Sequence, residues 1–142
     1  MSTVNSKLSL RDVGRALEAF VLLGIARMLV LLLSFRYVAP LLGSETGEGR
    51  RQISPSAVTV VRLAISRSHH RTPWTSNCLA QSLAATWMLK RRGCATTTYL
   101  GVRRDANNQI IAHSWTMTGD MFVTGKRAHE RFTVTKVFHV NK

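Results

Sequence analysis

The sequence predicts an α+β domain, with helices first and an antiparallel sheet after them, and three observations carry that prediction. Apolar residues recur at helical spacing as far as Met88, the apolar period turns to two after Gly93, and clusters of turn residues divide the last third into short segments. Runs of helices followed by runs of strands are the pattern of an α+β fold. At 142 residues, with 45% hydrophobic content, the chain is of the usual size for one domain and can bury one core.

The first segment, Ser9 to Leu42, reads as helix. Leu10, Val13, Leu17 and Phe20 repeat at helical spacing, Ser9 caps the start ahead of Asp12, and Pro40 and Gly43 mark the end. From Gly43 to Ile53 the sequence GSETGEGRRQI is polar and glycine-rich, with too little apolar surface to pack, which makes it the linker. The expected division is a helical segment at 1–45 followed by a core at 46–142. Ser54 before Pro55 is a cap with proline at the first helical position, and Val58, Val61, Leu63 and Ile65 carry a second helix to about His69. A third follows Pro73, with Thr75 or Ser76 as cap and Leu79, Leu83, Ala84, Trp87 and Met88 as its apolar stripe. Lys90, Arg91 and Arg92 give this helix a basic last turn, and Gly93 ends it. Strands are expected at Thr96–Val102, Gln109–Met117, Met121–Thr124 and Arg131–His139, where Thr, Val, Tyr, Phe, Ile and Trp are enriched. Asp105 to Asn108, Gly119-Asp120 and Gly125-Lys126 supply the turns.

Charge and cysteine content bound the function. Twenty basic residues against seven acidic ones give +13, spread along the whole chain, which favours an acidic partner: nucleic acid, a membrane surface or an acidic peptide. A nucleic-acid module would use Arg50, Arg51, Arg62, Arg67, Arg71 and Lys90 to Arg92 on phosphates. Against it, the strands show no paired solvent-facing aromatics and no helix-turn-helix or zinc pattern occurs, so no nucleic-acid partner is expected. Two cysteines, Cys78 and Cys94, and no secretory pattern at the start point to a reducing cytoplasm, with no structural metal and no cofactor. The apolar run Ala19 to Leu33 is about fifteen residues and holds Arg27, against roughly 20 apolar residues for a membrane span, so a packed helix is expected. Arg11, Arg15, Arg27 and Arg36 flank its apolar turns, which is compatible with peripheral contact to an anionic membrane.

Cys78 falls in the first turn of the third helix, where the positive end of the helix dipole favours a thiolate, so it is a candidate nucleophile as well as a candidate core residue. Cys94, beyond the other end of that helix, reads as structural. His113 shares a strand face with Ile111 and Trp115. It is either a satisfied strand residue or a base, since a helix-start cysteine and a strand histidine suit acyl-transfer chemistry at sulfur. His69 and His70 at a helix end, and His129 and His139, have no cysteine-proximal pattern.

The stretches Trp74-Thr75-Ser76-Asn77-Cys78-Leu79-Ala80-Gln81-Ser82-Leu83, Tyr99-Leu100-Gly101-Val102-Arg103 and Ala112-His113-Ser114-Trp115, with Leu89 and Arg91-Arg92-Gly93 between them, resemble the protease subunit of lasso-peptide biosynthesis. The arginine-punctuated helix from Arg11 to Leu42 resembles that family's amino-terminal segment. The resemblance implies a transglutaminase-like (papain-like) core in which a cysteine-bearing helix packs on an antiparallel sheet. It further implies a cysteine peptidase that cuts the leader from a ribosomally made precursor. A small leader-binding protein and an asparagine-synthetase-like cyclase are its implied partners. Cys78 and His113 match the family's nucleophile and base. The family's orienting acid is expected near Thr124 or Gly125, where no carboxylate stands, and Asp120 is the nearest acid, with Thr124 as a neutral substitute. The Cys78 backbone N–H is the natural oxyanion donor. Asn77 and Gln81 are candidate side-chain helpers, and Trp115 is a candidate substrate contact.

Overall fold

A computed structural model describes residues 9–45, 54–69, 78–127 and 129–140. Among these, the helices are α1 (Leu10–Leu32), α2 (Phe35–Leu42), α3 (Pro55–His69) and α4 (Cys78–Arg91), and the strands are β1 (Thr96–Arg104), β2 (Ile110–Thr118), β3 (Met121–Thr124) and β4 (Thr133–Val140). The strands form one antiparallel sheet in the order β3-β2-β1-β4. The α+β order is therefore as the sequence predicts. The expected linker centre at 46–53 and the cap candidates Thr75 and Ser76 lie outside the described residues.

The single helix expected from Ser9 to Leu42 is two, broken at Leu33 and Ser34, both in extended backbone. Its start is as expected. The Ser9 hydroxyl accepts from the Asp12 amide, and the Asp12 carboxylate accepts from the Ser9 amide in return. These bonds from Ser9 hold the Asp12 carboxyl below its usual range.

The buried face of α1 is not the one that the leading apolar residues predict. Ala19, Leu23 and Ala26 are buried, whereas Leu10, Val13 and Leu17 are exposed. The helix is apolar on nearly every side, so periodicity alone cannot select the packed face; the two small alanines let α3 and α4 come close on theirs. On α3 the same choice falls on Val58, Val61, Ala64 and Ile65, with Leu63 exposed.

One core cluster joins Ala19 and Leu23 of α1 to Val58, Val61 and Ile65 of α3 and to Ala84, Ala85, Met88 and Leu89 of α4. A second joins Ala26, Val38 and Leu42 to Ala80, Leu83 and Phe138, which lies on β4. The amino-terminal helices thus share their core with α4 and the sheet. Helix α4 is the centre: eight of its residues, from Ala80 to Leu89, are buried. Its basic end is tied to α1, where Glu18 pairs with Arg91 at 2.6 Å and with Arg92 at 2.9 Å.

Candidate active site

Cys78 is the first residue of α4, half-buried and with a free thiol. Four residues on, and so on the same face one turn along, Ser82 is fully buried. Its hydroxyl lies 3.0 Å from that of Ser114 on β2. Cys78 is therefore one helical turn, and His113 one residue, from a buried hydroxyl pair that pins the helix to the strand.

Strand β2 alternates. Ser114, Thr116 and Thr118 are buried on the side of α4: Thr116 bonds Thr98 on β1 at 2.9 Å, and Thr118 donates to the Ala95 carbonyl at 3.1 Å, just past the helix end. His113 and Trp115 point to the other face, where the imidazole lies 5.7 Å from the Trp115 ring and 5.0 Å from that of Phe132. Pairing between β2 and β3 stops at Thr116 and Thr124, so His113 stands where β2 has lost its neighbour on that side.

At that free edge the ring meets a backbone group. His113 Nε2 is 2.8 Å from the Gly125 carbonyl oxygen. A carbonyl oxygen only accepts, so Nε2 carries the proton, and in the neutral ring Nδ1 is left with the lone pair. The position of the carbonyl depends on glycine. Gly125 has φ +74°, and a Cβ there would lie 2.3 Å from the Ser114 carbonyl oxygen and 2.7 Å from Trp115 Cβ. No side chain, acidic or otherwise, fits this backbone beside β2.

The candidates for the third member sort accordingly. Asp120 is exposed in the turn between β2 and β3. The strand residues from His113 to Thr118 put it about 16 Å away at roughly 3.3 Å per residue, beyond contact with the imidazole. The Thr124 hydroxyl is buried without a hydrogen-bond partner and does not bond the ring either. The Gly125 carbonyl occupies the place expected for an acid, a role that no reading of side chains alone would assign. Its only sequence signal is a glycine where a carboxylate is expected.

Asn77 lies outside the described residues. Gln81 lies on α4 three residues after Cys78. Trp115 is only 4% exposed and stacks on Tyr99 across the strands, with centroids 5.6 Å apart. The sheet does carry a cross-strand aromatic pair, but it is a packed one, and Trp115 walls the imidazole instead of offering an open surface. His129 donates from Nδ1 to the Lys126 carbonyl of its own turn, and His139 pairs with Thr97. Cys94 is buried at the far end of α4, with Sγ 3.9 Å from the Arg92 carbonyl. A cleft of about 370 Å³ opens beside the Gly125 turn, lined by Arg62, Asp120, Phe122, Thr124 and Lys126 among others. Among the described residues no group of three or more His, Cys, Asp or Glu side chains converges on one point.

A cysteine at the start of a central helix, laid on an antiparallel sheet whose second strand carries a histidine, is the layout of the cysteine-helix acyl-transfer folds. The family model described as the transglutaminase-like superfamily matches residues 19–137, and the chain belongs to that superfamily. No curated protein and no solved structure matches the chain.

Proposed function

We propose that this chain is a cysteine peptidase that removes the leader from a ribosomally synthesised lasso-peptide precursor. In this reading a small leader-binding protein presents the substrate, and an asparagine-synthetase-like cyclase acts on the released core. The observation that carries the catalytic part is the Nε2 to Gly125 carbonyl bond, which leaves Nδ1 as the proton acceptor. The superfamily and the motif resemblance support the peptidase class; the quoted stretches around Cys78 and His113 support the lasso-precursor substrate.

The chemistry follows from the tautomer. On this proposal the Cys78 thiol gives its proton to His113 Nδ1 and the thiolate attacks the scissile carbonyl carbon, although α4 and the imidazole lie on opposite faces of β2 and no hydrogen bond joins the two residues in the described structure. The Cys78 N–H faces the oxyanion of the tetrahedral intermediate. The imidazolium then protonates the leaving amine through Nδ1, and water releases the acyl group from sulfur, with the imidazole taking the water proton. Throughout, Nε2–H stays on the Gly125 carbonyl. That contact keeps the ring oriented, as a carboxylate would, without adding a negative charge beside the imidazolium.

Mass spectrometry of a precursor incubated with the chain and the leader-binding protein tests the activity. Cleavage that is lost in Cys78→Ala and in His113→Ala supports the reading. A coupled pair also makes the Cys78 alkylation rate near neutral pH depend on His113. An alkylation profile identical in wild type and His113→Ala overturns the pairing.

A further inference from the structure

We propose that the outward face of α1 is a docking face for the surface of an anionic lipid bilayer, an inference independent of the peptidase reading. The helix has two apolar faces. One, with Ala19, Leu23 and Ala26, is buried in the core. The opposite one carries Leu10, Val13, Leu17, Val21, Ile25, Met28, Leu31 and Leu32, all exposed, from 46% at Ile25 to 92% at Leu10. At 100° per residue these side chains fall within about a third of the helix circumference, and the remaining residues in that arc are Gly14 and Gly24. The stripe runs the full 23 residues, about 34 Å at roughly 1.5 Å per residue, without one polar side chain. An exposed apolar strip of that extent marks a contact surface.

The chemistry of its rims selects the occupant. Arg11 and Arg27 lie at the two sides of the stripe, and neither pairs with a carboxylate among the described residues. The acids of α1 are already engaged: Glu18 by Arg91 and Arg92, and Asp12 by Ser9 and Arg15. What remains is a hydrocarbon strip edged by free cations on a chain of net charge +13. A second copy of the chain would bring two such charges together. A specific protein interface carries about one hydrogen bond per 100–200 Å², and this strip offers no side chain to make one. An anionic bilayer satisfies both features, taking the strip into its acyl boundary and the guanidinium groups among its headgroups. No helix among the described residues is long and apolar enough to cross a membrane, so α1 would lie along the surface. The break after it and the first turn of α2 add exposed Leu33, Phe35 and Tyr37.

Flotation of the full chain with vesicles tests this. The chain is expected to float with phosphatidylglycerol/phosphatidylcholine vesicles, to float poorly with phosphatidylcholine alone, and to detach as salt rises. The double substitution Ile25→Glu and Met28→Glu, at exposed positions, should cut binding more than tenfold while circular dichroism stays unchanged. Arg11→Gln and Arg27→Gln, which leave the apolar strip intact, should each cost roughly fivefold on anionic vesicles. No flotation with anionic vesicles overturns the proposal, as does flotation that the glutamate pair leaves unchanged. A concentration-dependent dimer abolished by the glutamate pair, with no vesicle binding, would assign the face to a second copy instead.

Discussion

Replacing Gly125 by alanine separates what its backbone does for the fold from what its carbonyl does for the site. Two costs add. An L-residue held at φ +74° loses roughly 1–2 kcal/mol against glycine. The new Cβ would also lie 2.3 Å from the backbone oxygen of Ser114, a contact that no rotamer change relieves, so the 125 segment must shift away from β2 at a further cost of roughly 1–3 kcal/mol. A total of about 2–5 kcal/mol is within what a domain of this size tolerates. With a urea m-value of roughly 2 kcal/mol/M, the unfolding midpoint should fall by about 1–2.5 M. The folded variant should also lose turnover by roughly 100-fold or more with little change in KM, because a displaced carbonyl no longer holds the ring in its Nε2–H form. Precursor cleavage under native conditions reads the second effect, and urea unfolding followed by tryptophan fluorescence reads the first. An unchanged midpoint would refute the close approach at Gly125. A lowered midpoint with full turnover would refute the orienting role of its carbonyl, and a nitrogen NMR spectrum of the wild type showing the proton on Nδ1 would do so directly.

Cys78→Ala should abolish cleavage with the fold intact, whereas Cys94→Ala, which empties part of a buried site away from the chemistry, should stay active and lose about 1 kcal/mol in chemical denaturation. Asp120→Asn should leave turnover within about twofold and stability within roughly 0.5 kcal/mol, since both residues suit an exposed turn; a large loss of kcat would return the orienting role to the carboxylate. The Asp12 carboxyl titrates below its ordinary value of 3.8 through its bonds to Ser9, so the folded state binds that proton less readily than the unfolded chain does. Its contribution is complete above the ordinary value and is lost as pH falls through the lower folded one. Asp12→Asn should therefore flatten the acid limb of a stability-against-pH curve, and an unchanged limb would count against the capping box.

The parts of the fold that were legible in the sequence are those where a local signal has one structural solution. Ser54-Pro55 ahead of a helically spaced apolar run is a helix-start signal, and α3 starts there. The basic turn and Gly93 end α4, and the change to period two after it yields the four strands within one or two residues of their expected bounds. Where two solutions compete, the sequence does not choose. The Ser9 to Leu42 stretch has no proline or glycine at its break, so the end of α1 at Leu32 is set by packing of α2 against Phe138 and Leu83. Its apolar residues go all round, so which stripe is buried depends on where α3 and α4 lie. In the site, residue types name Cys78 and His113 because their chemistry is in their side chains. The Gly125 carbonyl escapes such a reading, since every residue has one and only φ and the approach to Ser114 distinguish this one.

The contact between α4 and β2 shows how a site on these two elements can be held without large apolar side chains. Beside the helix the strands present Ser114, Thr98, Thr116 and Thr118, and the helix presents Ser82 and Thr86, all buried. Most of their hydroxyls are paired: Ser82 with Ser114, Thr98 with Thr116, Thr86 with the Ser82 carbonyl, and Thr118 with the Ala95 carbonyl. Apolar surfaces slide at little cost, but buried hydroxyl pairs do not, because a shift of an ångström leaves each partner unsatisfied at roughly 1–3 kcal/mol. Of these bonds Ser82–Ser114 is the one that joins α4 to β2, and Thr118 ties β2 to the segment just past the helix. The register of α4 on β2, and with it the position of Cys78 relative to His113, is therefore set chiefly by that hydroxyl pair, one turn and one residue away from the chemistry. Removing one hydroxyl alone, as in Ser114→Ala, strands the Ser82 donor in the same dry interface; removing both restores satisfaction but frees the register. On this reasoning the double variant recovers stability relative to the single one without recovering turnover, a split that a merely structural role for the pair does not produce.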